Sequence, residues 1–222
     1  MTRKPPNISP RKQPLQGRSR ATFDAVLEAC AQLLVRGGVA AITTNRLAEM
    51  AGVSVGSLYQ YFPNKETILA ELCRRLREEM LEDIQGAFCV KTHHEMTLEQ
   101  LVAVLVRASL LHHVRNPDLA MVLEQIEKDL PLDENDAEVK RKIGRIIGGI
   151  LQARGVSNPA QAAQDLAALS SGIAHAAIEA GEQDFEDLAE RISRAVLGYL
   201  TLGGACQGLT EPAPASSLTA SG

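Results

Sequence analysis

Aromatic side chains make up only 3% of this 222-residue chain, and tryptophan is absent. Four of the seven Phe and Tyr residues (Phe23, Tyr59, Tyr61 and Phe62) lie before residue 63. An aromatic cage for an organic cation later in the chain therefore has little to be built from. Cysteine is scarce as well. Cys30, Cys73, Cys89 and Cys206 form no C-x-x-C pair, which argues against a disulfide framework and leaves reduced, buried thiols as the expectation. No apolar run approaches the ~18 residues that span a bilayer. The basic, Pro-rich N-terminus lacks the apolar segment of a secretory leader, so a bacterial cytoplasmic location is expected.

The last shortage is local. Residues 1–65 contain three acids (24, 28 and 49) against nine Lys and Arg (3, 4, 11, 12, 18, 20, 36, 46 and 65), a balance of +6. Residues 66–222 hold 14 basic and 24 acidic groups, or −10, and together these give the overall −4. A chain divided in this way meets a polyanion at one end and not at the other.

What is present in the basic section is a punctuated helical pattern. Phe23, Val26, Leu27, Cys30, Leu33 and Leu34 recur at three- and four-residue spacing, which marks an amphipathic helix stopped by Gly37-Gly38. Thr43 is placed to cap a second helix, with Leu47 and Ala48 facing inward and Gly52 ending it where a positive φ costs nothing. Ser54 caps a third, short helix through Leu58 to about Tyr61. Two short helices around a tight, Gly-containing turn form a helix-turn-helix, whose second helix enters the DNA major groove. The outward residues of that helix are Val55, Gly56, Ser57, Tyr59, Gln60 and Tyr61, and none is acidic. Pro63 then breaks the chain. Asn64 caps a fourth helix whose first turn carries Lys65, a lysine beside free amides and hence a phosphate site.

Thr43-Thr44, Leu47-Ala48 through Ala51-Gly52-Val53-Ser54, Gly56-Ser57-Leu58-Tyr59, Tyr61-Phe62 and Asn64-Lys65-Glu66 together resemble the DNA-binding domain of the TetR family of bacterial transcriptional regulators, over about residues 19–80. The resemblance implies phosphate contacts from Thr44, Tyr59, Tyr61 and Lys65, with Thr43 counted among the DNA-binding residues. It places Asn45, Val55, Gly56, Ser57 and Gln60 nearest the bases. Many relatives carry a basic residue where Val55 stands here. An apolar side chain suits a thymine methyl instead.

Beyond residue 80 the pattern stays helical. Thr97-x-x-Gln100 is a capping box opening a helix from Leu98 to about Arg115 that is apolar nearly all round, so other helices surround it. Its polar members Arg107, Ser109, His112 and His113 are candidate contacts in a ligand pocket, and no acid is placed to orient either histidine. Cys89, His93 and His94 would share a helical face but fall short of a zinc ligand set, so neither metal nor cofactor is expected. Asn116-Pro117-Asp118 opens the next helix, striped by Leu119, Val122, Leu123, Ile126 and Leu130. Another, striped by Ile143, Ile146, Ile147, Ile150 and Leu151, carries Gly144, Gly148 and Gly149 inside it, for either close packing or ligand space. Two last helices span about 158–180, with Asn158-Pro159 as its cap, and 185–202. Gly172, Ala176, Phe185, Leu188, Ile192, Val196 and Tyr199 are the candidate dimer interface, since the resemblance implies that these helices pair with their symmetry mates.

The predicted fold is all-α, with about nine helices. A disordered basic arm spans 1–17, the helix-turn-helix domain 18–80 (motif 43–62), a helical ligand-binding and dimerisation domain 81–203, and a Gly/Ala/Ser/Pro-rich tail 204–222. The functional expectation is a homodimeric, sequence-specific transcriptional regulator, a repressor that binds a palindromic operator and is released by a small-molecule effector, with no membrane association. The predicted effector is apolar and either neutral or acidic. Two other classes are open to test: an all-helical enzyme using His112 and His113, for which no nucleophile or phosphate loop is present, and a sequence-indifferent architectural DNA binder, which the acidic 66–222 section opposes.

Overall fold

The computed structural model describes residue 10 and residues 17–88, 96–130 and 134–202. Among these are nine α-helices, one 3-10 turn and no strand: α1 Gly17–Gly37, the turn Val39–Ala41, α2 Thr44–Met50, α3 Val55–Tyr61, α4 Lys65–Phe88, α5 Leu98–Arg115, α6 Pro117–Asp129, α7 Glu134–Ala153, α8 Pro159–Glu179 and α9 Phe185–Leu202. Cys89, His93 and His94 lie outside the described residues, as do most of the basic arm and the tail from 203.

The first core is built from the stripe read in α1. Phe23, Val26, Leu27, Cys30, Leu33 and Leu34 are all buried, and they meet Leu47 and Leu58 from the next two helices and Phe62 directly after them. Phe62 is the centre of this unit. It has no exposed surface and stacks on Phe23 with centroids 4.6 Å apart, while Tyr61 meets the same Phe23 ring edge-on at 6.0 Å. Buried aromatic pairs add ~0.5–1.5 kcal/mol beyond their area, so the few aromatics of the chain are concentrated where the smallest helices need them.

The fourth helix does not stop at residue 80. It runs unbroken to Phe88, so no break in the chain separates the two expected domains. The sixth helix ties them further. Leu123, 2% exposed, belongs to the first core, and Leu119, Val122 and Ile126 pack against it. The Cys73 thiol donates a hydrogen bond to the Leu123 carbonyl at 3.6 Å. Burial, and then the neighbouring Cys73, push the Cys30 thiol up to about 12, so it stays protonated.

The second core surrounds α5, as its all-round apolar character requires. The stripe of α9 (Leu188, Ile192, Val196 and Leu200) is 0–4% exposed and packs with Leu98, Val102, Val106 and Leu110 of α5. This corrects the expected dimer surface. Leu188, Ile192 and Val196 are interior residues of one protomer, because α5 needs a partner on this side and α9 supplies it. Phe185 and Tyr199 are half-buried, and the Tyr199 hydroxyl donates to Asp165 of α8 at 2.5 Å. Gly172 and Ala176 remain on the outer face of α8.

Two local readings are also resolved. Asn158 sits in the left-handed region (φ 52°, ψ 57°) and makes no side-chain cap; Pro159 at the first helical position starts α8. Gly148 faces the start of α8 at ordinary contact distance, with a hypothetical Cβ 3.7 Å from the Pro159 carbonyl, whereas Gly144 borders open space in a cavity. Neither position would force a Cβ into a clash, so packing within the protomer does not require glycine at either one.

Candidate functional site

The outward surface of α2 and α3 forms one candidate site. Thr43 adopts extended backbone and its hydroxyl accepts from the Arg46 amide at 3.4 Å. Ser54 does the same for Ser57 at 3.0 Å, and the two serine hydroxyls bond at 2.8 Å. Gly52, at φ 66°, makes the turn between these helices, in a region that other residues rarely adopt. Caps and turn together fix the angle at which α3 is presented.

On that surface Asn45, Val55, Gly56, Tyr59 and Gln60 are exposed, Val55 by 38% and Tyr59 by 43%. The Tyr59 hydroxyl lies 3.4 Å from that of Thr44, linking two of the expected phosphate contacts across the motif. Lys65 is exposed at the start of α4, where Asn64 caps the helix by accepting from the Thr67 amide at 2.8 Å. Ser57 and Tyr61 are held back. The first is occupied with the Ser54 cap, and the second packs on Phe23 with only part of its surface free. No acidic side chain lies on α3. The site can therefore take a polyanion at close range.

The second candidate site is a cavity of about 590 Å³ walled by α4 to α9. Its lining is mostly apolar, with Ile84, Leu101, Val102, Leu105 and Ile147 among it, while His112, His113 and His175 converge on Glu124 and Lys140 pairs with Glu127. Ser109 borders it, although its hydroxyl donates back to the Val106 carbonyl at 2.8 Å.

Arg107 does not belong there. Its side chain is exposed and pairs with Glu186 of α9 at 2.9 Å. A position 100° round the helix from the cavity side sends its long side chain outward.

The expectation that no acid orients the histidines is overturned. Glu124 Oε1 lies 3.2 Å from Nε2 of both His112 and His113, and Oε2 lies 3.2 Å from His175 Nδ1. Burial alone would raise the Glu124 carboxyl. The hydrogen bonds from His112 and His113 outweigh it and hold the group below the usual carboxylate range. Neither Glu124 nor His175 was singled out in the sequence. Their signals were a carboxylate beside Leu123 in an apolar stripe and a lone histidine in an alanine-rich helix.

A capped, acid-free reading helix on a small three-helix unit, joined by one continuous helix to a larger helical body with an internal cavity, defines a one-component DNA-binding regulator. The family profile described as "Bacterial regulatory proteins, tetR family" matches residues 26–72, and that described as "Tetracyclin repressor-like, C-terminal domain" matches residues 97–200. The chain belongs to the TetR family of DNA-binding transcriptional regulators. It is 25% identical over 132 residues to the fatty acid metabolism regulator protein of Bacillus subtilis, covering 60% of this chain and 63% of that one. It is 33% identical over 101 residues to the nucleoid occlusion factor SlmA of Vibrio atlanticus, covering 45% and 50%. The chain thus spans about half to two thirds of the length of these relatives. Among solved structures, the fatty acid degradation regulator FadR of Bacillus halodurans shares the fold with a TM-score of 0.67 at 18% identity, covering 86% of this chain and 98% of that one. FadR of Bacillus subtilis, solved in complex with stearoyl-CoA, does so at 0.66 and 18%, covering 78% and 97%. Among the described residues no helix is long and apolar enough to cross a membrane.

Proposed function

We propose that this regulator is a homodimeric repressor that binds a palindromic operator through α2 and α3 and leaves it when a small molecule fills the cavity. The observation that carries the reading is the double membership of α6. Leu123 is part of the core that holds the reading helix, while the next residue, Glu124, lines the cavity. A ligand that shifts α6 moves the base of the DNA-binding unit. A coupling of ~1–3 kcal/mol is enough for a 5–150-fold response.

Asn45, Val55, Gly56 and Gln60 face the bases in this reading, and Thr43, Thr44, Tyr59 and Lys65 the phosphates. Two units related by a two-fold read half-sites about one helical turn apart. The dimer forms through the outer faces of α8 and α9. Gly172 supports this, because no atom of the protomer lies within 4 Å of a Cβ placed there and the protomer itself has no need of a glycine. The effector is an elongated apolar molecule with an acidic or neutral head. The apolar wall of the cavity supports this, and long-chain acyl compounds, one of which the Bacillus subtilis FadR structure holds, are the first class to test.

The test uses full-length protein and the DNA upstream of its own gene. Fluorescence anisotropy should show tight binding that weakens steeply with salt. Stearoyl-CoA or a free long-chain fatty acid should release it, and Ala174→Phe, which fills the cavity from α8, should abolish the release while leaving the DNA affinity intact. Affinity equal to that for random DNA at matched salt would sink the operator reading. Sedimentation of wild type and Gly172→Arg tests the dimer: the wild type should sediment as two chains and the variant as one.

A further inference from the structure

One group of side chains has a chemistry that neither DNA contact nor an apolar effector uses. His112 and His113, 3% and 2% exposed, bring both Nε2 atoms to 3.2 Å from a single oxygen of Glu124, and the three ligand atoms all lie within 4.8 Å of one another. The arrangement is fixed by a tight connection: the Asn116 amide donates to the His112 carbonyl at 3.1 Å while the Asn116 side chain caps α6. Two adjacent histidines at the end of one helix and a carboxylate two turns into the next are thereby held on a common point.

The spacing fits a coordinated ion. Ligand atoms placed ~2.0–2.2 Å from a tetrahedral metal stand about 3.3 Å from one another. The second Glu124 oxygen is held by His175 Nδ1 at 3.2 Å, and His175 Nε2 lies 3.7 Å from Glu179. Outer partners of this kind orient a ligating carboxylate. The Nδ1 atoms of His112 and His113 are buried without a hydrogen-bond partner. Nothing in the chain therefore prevents Nδ1 from carrying the proton and Nε2 from offering its lone pair.

We propose that His112, His113 and Glu124 bind a divalent first-row transition-metal ion, with His175 as the residue that positions the carboxylate. Two imidazoles and one carboxylate form the set used for zinc and for non-haem iron, and they leave at least one coordination position open, here toward the cavity. Imidazole nitrogen disfavours calcium and magnesium at the same place. No metal is expected from the sequence because Cys89, His93 and His94 fall short of a ligand set and no acid stands beside His112 and His113; this group is assembled from two helices. The inference does not depend on the operator or on the identity of the effector.

The experiment uses full-length protein stripped with a chelator and dialysed. Zn²⁺ is titrated by calorimetry, and Co²⁺ by its visible absorption, which intensifies in a low-coordinate nitrogen and oxygen site. One ion per protomer is expected. His113→Ala and Glu124→Gln should each weaken binding by at least ~100-fold, and His175→Ala by ~10–100-fold. The triple variant Cys89→Ser, His93→Ala, His94→Ala should bind as the wild type does. Glu124→Gln is nearly isosteric, and circular dichroism on each variant separates lost binding from lost fold. The proposal is overturned if binding is not saturable, if His113→Ala and Glu124→Gln bind unchanged, or if the triple variant loses the ion. The three residues would then be a hydrogen-bonded group and nothing more.

Discussion

The two cores of this protein solve opposite problems. The first is built from apolar side chains and two cysteines; the polar groups around it serve mainly caps and turns, as at Thr43, Ser54 and Asn64, the last of which also holds the buried Thr67. The second, of similar size, has titratable residues gathered beside it: His112 and His113 are buried, and Glu124 and His175 are largely so. A core that must present a fixed surface gains from having one packing. A core that must accept a ligand gives up some packing for a cavity and a few convergent polar groups. The contrast teaches where each half is vulnerable, the first to loss of volume and the second to loss of a charge partner.

The sharpest way to break this contrast is Phe62→Ala. The side chain is fully buried and stacked on Phe23, so its removal should cost about 3–5 kcal/mol. Thermal unfolding should show the loss, and DNA binding should disappear with it. If operator affinity survives at the growth temperature, the first core is not the rigid platform described above.

The next effects are on the reading surface itself. Gln60→Ala should relax preference at one base pair by ~1–3 kcal/mol, while Lys65→Ala should weaken all sequences alike and reduce the salt slope by about 1. A competition assay over operator variants at several salt concentrations separates the two. Identical behaviour of both variants would show that α3 does not face the bases.

These two surfaces differ equally in how much of them the sequence discloses. The helix-turn-helix is written in local rules. Thr43 and Ser54 cap the residue three places on, Gly52 takes the positive φ, and Lys65 follows a helix start, so each role depends on neighbours within a few positions. The capping box at Thr97 and Gln100 and the extent of α5 were legible for the same reason. The polar cluster of the cavity is not local. Glu124, twelve residues from His112 and fifty-one from His175, meets them only after three helices have packed. Periodicity marks α9 as striped but does not say whether the stripe faces α5 or a second copy, and only the packing turns Leu188, Ile192 and Val196 inward. Arg107 lies in an apolar helix, and only the packing shows that its own position faces water.

Acid should separate the two halves further. Because the hydrogen bonds from His112 and His113 depress the Glu124 carboxyl against the opposing effect of burial, its contribution to stability is present above the ordinary value of 4.5 and is lost as pH falls below it. Chemical unfolding in the presence of chelator, from about pH 6 down to about pH 3, should show a decline in wild type that Glu124→Gln flattens. A probe near Phe62 should register this decline through α6, which joins the two cores. An equal decline in both proteins would mean that other carboxylates govern the acid transition.

The smallest effect expected is from Arg107→Ala, and it is informative because it is small. The guanidinium pairs with Glu186 between two exposed side chains, 46% and 74% accessible. An ion pair in that setting contributes under about 1 kcal/mol, because water and salt screen it and two long side chains must be ordered to make it. The variant should therefore melt within a few degrees of the wild type, and the difference should shrink as salt is raised. Effector release from DNA, in the assay that Ala174→Phe is expected to abolish, should be unchanged, because the side chain points away from the cavity. A marked loss of response in Arg107→Ala, with stability intact, would put the residue back in the ligand site and require α5 to turn relative to α9 when the effector binds.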